Sequence, residues 1–281
     1  MNNEHRDRSI AVSIWLMAIL VIAPLFWLLS DVVQHGIGQI NWQFLTTAPR
    51  NAGRDGGLAP ILVSTSLIVL VCLGVSLPLG IGTAILLAEF SPQSNSWENL
   101  WGRLVRLSLD VLAGVPSIAF GLFGNAFFSK TLGLGFSILS GGLTLACMVL
   151  PILIRSTQEG LRSVPEDYRR SAAALGLSRP SVLWTLLLPA ASHAIVVGIL
   201  LGLGRAIAET AALIFTSGYV DRMPTSLLDS GRSLSVHIYD LAMNISGGEP
   251  KAYATALVLV ISLVTINGVV SWLGAWFRHD F

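Results

Sequence analysis

Six apolar stretches, 10–29, 58–88, 109–128, 138–154, 184–215 and 254–277, decide what this chain can fold into. A helix needs about 20 residues to cross a hydrocarbon core of about 30 Å, and in lipid an open strand or loop leaves its backbone unsatisfied. Composition agrees. The chain is 53% hydrophobic and 12% charged, roughly half the charged share of an ordinary globular domain. The expectation is an all-α integral membrane protein with six transmembrane helices. A cytoplasmic segment 1–9 precedes one membrane domain over 10–281, with its core over about 58–277. The run ending "PLFWLLSD" lacks the small residues of a cleavage site, so the first stretch is read as a retained span. The second and fifth stretches exceed one upright crossing and fall short of two, so each is one long, tilted or broken helix. Pro78 and Pro189 are the expected breaks, because proline removes a backbone donor and clashes with the preceding turn.

Charge sets the orientation. With the N-terminus inside, ten basic residues fall in inner connections (Arg6, Arg8, Arg103, Arg106, Arg155, Arg162, Arg169, Arg170, Arg179, Arg278) against six in outer ones (Arg50, Arg54, Lys130, Arg222, Arg232, Lys251). Both termini are therefore expected to be cytoplasmic. A net charge of +1 without a basic tail indicates no nucleic-acid partner. Cys72 and Cys147 lie inside apolar runs with no second ligand nearby, which suits buried small hydrophobes rather than a disulfide or metal site. In the outer connection 217–251, Leu234, Ile238 and Leu241 have helical spacing and suggest an amphipathic helix on the outer surface.

The inner connection "RSVPEDYRRSAAALGLSRPSVLWTLLLPA", 162–190, carries the clearest local signals. Pro165 opens a helix, Glu166 and Asp167 suit its positive end, Ala172 and Ala173 continue it, and Gly176 closes it with a left-handed cap. A tight turn and a second helix into the fifth span follow. On physics alone this is either a surface built to be gripped or a plain hairpin joining two spans.

Here the chain resembles the permeases of ABC importers, whose "EAA" loop places Gly176, Leu186, Leu188 and Pro189 at the required spacing, while Arg170 stands where that family has glutamate. "GVPSIAFGLF", "LPLGIGTAILLAEF" and "GRAIAETAALIF" resemble the PstA-type permeases of phosphate importers. The resemblance implies a type I importer bundle in a bacterial inner membrane, with 162–180 as an ATPase-coupling loop. It also implies four partners: a homologous PstC-like permease, a PstB-like ATPase dimer that uses ATP and Mg, a PstS-like phosphate-binding protein, and inorganic phosphate itself. The chain has no phosphate-cradling Gly-x-x-x-x-Gly-Lys-Ser/Thr loop, so it is expected to be no enzyme and to hold no cofactor.

Arg205 and Glu209 are the anomalies. Their spacing puts them one turn apart on one helical face inside an apolar run, where charge is costly unless it faces a cavity, a partner helix or its own counter-charge. One reading is a self-neutralising pair that fixes packing. The other is a pathway in which Arg205 meets the oxyanion through its donor fork and Glu209 holds that fork. Thr210 would add a hydroxyl. Arg155 would guide the anion out or anchor the inner end of its span, Asp110 would act as a gate or as an arginine's partner, and Ser117 would cap a helix or face the pore. A permease for sulfate, molybdate or phosphonate fits the same features. An intramembrane enzyme acting on lipid head groups would need clustered His and Asp, and the five histidines are scattered.

Overall fold

The computed structural model describes residues 2–90 and 100–279. In chain order these form α1 (Asn2–Gly36), α2 (Trp42–Thr46), the two-residue strands β1 (Pro49–Arg50) and β2 (Asp55–Gly56), α3 (Ala59–Ile85), α4 (Leu100–Gly114), α5 (Ser117–Gly124), α6 (Ile138–Ser163) and α7 (Glu166–Ala174). Then come α8 (Arg179–Val182), α9 (Leu188–Ala208), α10 (Ala211–Ile214), α11 (Leu234–Met243) and α12 (Glu249–His279). The strands pair antiparallel, Pro49 opposite Gly56 and Arg50 opposite Asp55.

Among the described residues five helical stretches are long and apolar enough to cross a membrane: Ile10–Gln39, Ala59–Phe90, Ile138–Ser163, Arg179–Ala208 and Glu249–Gly274. The expected third span differs. It is broken between Gly114 and Ser117, where α4 meets α5 at 108°, because Pro116 sits at φ −60° and ψ 144° and cannot carry a helix through. The sixth crossing exists only if this bent pair counts as one. Proline also acts differently from expectation in the long helices. Pro78 stays inside α3 without ending it, and α3 loosens instead into a π-helical turn at Leu86–Phe90. Pro189 follows a π-helical turn, Leu183–Leu187, that joins α8 to α9.

α6 is the axis of the bundle, packed between α3 and α9. Lipid tails are as apolar as leucine, so close packing rather than water exclusion holds such helices together. Gly202 on α9 shows how close: a Cβ there would meet Val149 Cγ1 of α6 at 2.6 Å. Some hydroxyls buried in these helices turn back on their own backbone, as Thr65 does to the Ile61 carbonyl at 2.7 Å and Thr144 to that of Ser140 at 2.8 Å, whereas those of Ser64, Ser76 and Thr157 have no hydrogen-bond partner among the described residues.

The connection 217–251 holds the expected helix, α11, but packs it into the bundle rather than on a surface. In α11, Leu234, Val236, His237 and Leu241 are each at most 2% exposed. The Leu234 amide donates to Thr65 Oγ1 of α3 at 2.9 Å, and Ser235 Oγ donates to the Glu209 carbonyl at 2.6 Å. Ser233, Ser235 and His237, polar residues in or beside this helix, are buried hydrogen-bonding groups.

Candidate functional site

The connection after α6 folds as the sequence predicts. Pro165 precedes α7, Glu166 and Asp167 occupy its first turn, and Gly176 takes φ 72° after it. Ala172 is buried against Leu161, Val164, Val182 and Leu187, while Asp167, Arg170, Ala173 and Gly176 are exposed. Leu188 and Pro189 belong to the start of α9, and Leu188 packs on this same cluster, so they brace the loop from behind.

The residues that fix α7 are ones the sequence did not single out. Arg169 donates to both carboxylate oxygens of Glu89 at the end of α3, at 2.7 and 3.2 Å, and to the Leu161 and Val164 carbonyls at 2.9 Å each. Glu166 stands 3.7 Å from the same guanidinium. Only about a fifth of either side chain in the Arg169–Glu89 pair is exposed (21% and 17%), so this fork is well screened from solvent and specific in geometry. One arginine thus ties the exposed helix to α3 and closes the C-terminal carbonyls of α6. The available signal was Glu89, an acid directly after the apolar run 58–88.

Asp110 and Arg155 come together: an Arg155 guanidinium nitrogen donates to Asp110 Oδ1, joining α4 to α6, with both side chains substantially exposed. Asp110 is therefore an arginine's partner. α6 continues to Ser163, so Arg155 lies two turns inside the helix rather than at its end.

Arg205 and Glu209 do not share a helical face. α9 ends at Ala208 and Glu209 is extended (φ −71°, ψ 126°). The Glu209 carboxylate accepts from the Ala212 amide at 3.2 Å, so it caps α10. Among the described residues the exposed Arg205 side chain has no ion pair and no hydrogen bond. Thr210 sits in the break, its carbonyl accepting from the Ile214 amide at 3.1 Å. Ser117 is not a cap: Pro116 holds that position and Ser117 is the first residue of α5, half-buried beside the bend.

A second buried charge network lies within the connection 217–251. Arg232, 9% exposed, pairs with Asp240 at 3.1 Å, donates to the Tyr219 carbonyl at 2.9 Å and lies 3.3 Å from His237 Nδ1. Burial, then the neighbouring guanidinium, push the His237 pKa down to about 4, against the opposing pull of Asp240. Among the described residues no group of three or more His, Cys, Asp or Glu side chains is placed to hold a metal ion.

With this geometry in view, comparison with known proteins is specific. The family described as "Binding-protein-dependent transport system inner membrane component" matches residues 76–280. The probable ABC transporter permease protein YqgI of Bacillus subtilis is 32% identical across 98% of this chain and 97% of its own length. The phosphate transport system permease protein PstA of Mycobacterium leprae is 32% identical across 92% of this chain and 84% of its own. Among solved structures, a bacterial ABC transporter for import of the acidic polysaccharide alginate aligns with a TM-score of 0.59 at 15% identity, over 93% of this chain and 95% of that one. The MetNI methionine transporter in an inward-facing form aligns at 0.55 and 14% identity, over 80% and 94%.

Proposed function

This chain belongs to the binding-protein-dependent transport system inner membrane components and is a permease subunit of an ABC transporter; on that premise we propose that it carries inorganic phosphate. Membership implies a separate ATPase and a solute-binding protein, and makes the chain a transport subunit rather than a catalyst. In the phosphate reading the partners are a second, homologous permease, an ATPase dimer gripping α7, and a phosphate-binding protein at the opposite face. ATP and Mg act in the partner. Both termini lie in the cytoplasm.

The observation that carries the reading is Arg205: a permanent charge, exposed and without a partner among the described residues, one turn before the break in an apolar helix. Broken helices are tolerated within a membrane where they line a cavity. A guanidinium there offsets the dehydration of an anion and matches phosphate oxygens with its fork. Thr210 and the Glu209 cap hold the break open. Arg155, Asp110 and Ser117 serve the route toward the α7 end. The similarity to permeases whose names specify phosphate supports this anion over sulfate, molybdate or phosphonate.

ATP-driven uptake into proteoliposomes containing the whole transporter tests it, with phosphate and sulfate compared side by side. Phosphate should be transported in preference, and Arg205→Gln should lower its uptake at least tenfold without loss of assembled complex. Sulfate uptake matching that of phosphate would overturn the substrate. An active Arg205→Gln variant would overturn the role of the arginine. For orientation, a single cysteine at Ser178 in a Cys-free background should resist an impermeant thiol reagent applied outside, and one at Met223 should react.

A further inference from the structure

Between α4 and α6, toward the end of the bundle that bears α7, lies a cavity of about 240 Å³ lined by Arg106, Asp110, Arg155, Gln158, Glu159 and Arg162. Three features set it apart. Its charge does not balance, with three guanidiniums facing two carboxylates. Gln158 is 7% exposed, yet its amide nitrogen has no hydrogen-bond partner. One Arg106 guanidinium nitrogen, Nη1, is likewise buried without a partner. Buried polar groups are almost always paired, so two orphan donors on side chains that line one cavity are an observation that calls for an acceptor. Both nitrogens are shielded from water as the side chains now lie, and the cavity, which far exceeds the roughly 10–15 Å³ one water needs, carries a surplus positive charge.

We propose that this cavity is an oxyanion site taking a tetrahedral phosphate group. Gln158 and arginines from two helices line one space, a set of donors suited, once those side chains turn toward it, to an acceptor with several oxygens around one centre. The two carboxylates keep the site weak. Asp110 already occupies part of Arg155, so an arriving anion competes with it for that guanidinium, and release follows when Asp110 takes it back. A transport route needs stations that bind and let go in this way. On the reading that the chain carries phosphate, the occupant is the substrate leaving at the α7 end. The same chemistry would accept the phosphodiester of an anionic lipid, and the two sources separate by experiment.

The test uses the complete transporter in nanodiscs and proteoliposomes, with Gln158→Leu, Arg106→Gln and Arg106→Lys. Gln158→Leu removes an unpaired buried amide, so the variant should fold. Three readouts are taken: equilibrium binding of radiolabelled inorganic phosphate without the binding protein, phosphatidylglycerol retained from mixed phosphatidylglycerol and phosphatidylcholine nanodiscs, and uptake per assembled complex. For a substrate site, Gln158→Leu and Arg106→Gln each weaken phosphate binding at least fivefold and lower maximal uptake, while the KM set by the binding protein stays and Arg106→Lys recovers part of both. For a lipid site, the same two variants lose bound phosphatidylglycerol and leave phosphate binding unchanged. If neither phosphate binding nor phosphatidylglycerol retention changes in either variant, there is no oxyanion site here. A wild-type transporter that moves sulfate but not phosphate defeats the substrate reading instead, and the phosphatidylglycerol arm still decides the cavity.

Discussion

The two ends of this bundle each bury an arginine against a carboxylate, yet the segments they hold are built for different work. At one end Arg169 and Glu89 tether α7, a helix whose only buried residue is Ala172. At the other, Arg232 and Asp240 sit among Leu234, Val236, His237 and Leu241, which are buried in their own right. The first segment is an exposed lever on one strong pin. The second is a plug held by packing, with charge embedded in it. Loss of the pin should therefore be felt in what the lever does, and loss of the embedded pair in whether the plug stays folded.

The largest stability effect should come from Asp240→Ala. It strands the Arg232 charge in a site where that side chain is 11% exposed, a change that costs about 3 kcal/mol or more. Thermal unfolding of the purified transporter should show it, and an unchanged midpoint would erase the distinction between the two ends. Arg169→Gln should cost less, about 2 kcal/mol, leaving assembled protein in the membrane. Equal losses of folded protein in the two variants would make both ends plugs.

His237 sharpens the contrast through pH. The unfolded chain takes up this proton near pH 6.5, the folded one only at about 4. The stability it contributes is whole above about 6.5 and drains as pH falls toward 4, about 2 kcal/mol of it between pH 7 and pH 5. Wild-type transporter should therefore unfold more readily at pH 5, and His237→Gln should flatten that dependence. A wild-type profile flat from pH 7 to 5 would mean that His237 is not neutral by burial. The smallest effect is expected at Gly176. A Cβ there meets nothing within 4 Å, so Gly176→Ala suffers only from its φ of 72°, about 1 kcal/mol. Gly176→Asn should fare better, and a larger loss on replacing this exposed glycine would reveal that a partner chain presses on it.

The same contrast explains what was legible in the sequence. α7 and its turn were readable because every determinant is local: a proline before, alanines within, a glycine at positive φ after. The pin was not, because Glu89 and Arg169 are 80 positions apart and meet only once α3 and α6 pack. Arg205 and Glu209 misled for the opposite reason. Their spacing implies a shared face only if the helix continues, and the Glu209 carboxylate is spent capping α10 where α9 has ended. Pro116 gave a visible signal for the α4–α5 bend, masked by the unbroken hydrophobicity around it. The burial of α11 was hidden by its serines and histidine, which look solvent-facing in sequence and are hydrogen-bonded inside.

If a partner ATPase grips α7 as proposed, α7 should transmit work only while Arg169 ties it to Glu89 at the end of α3. The direct measurement is the ratio of ATP hydrolysed to phosphate taken up by the reconstituted transporter carrying Glu89→Gln or Arg169→Gln. Both variants should retain the ATPase in the complex and hydrolyse ATP, but move at least fivefold less phosphate per ATP than the wild type, with Arg169→Lys falling between. A wild-type ratio in Glu89→Gln and Arg169→Gln would contradict it, leaving the ion pair a fastening with no part in coupling.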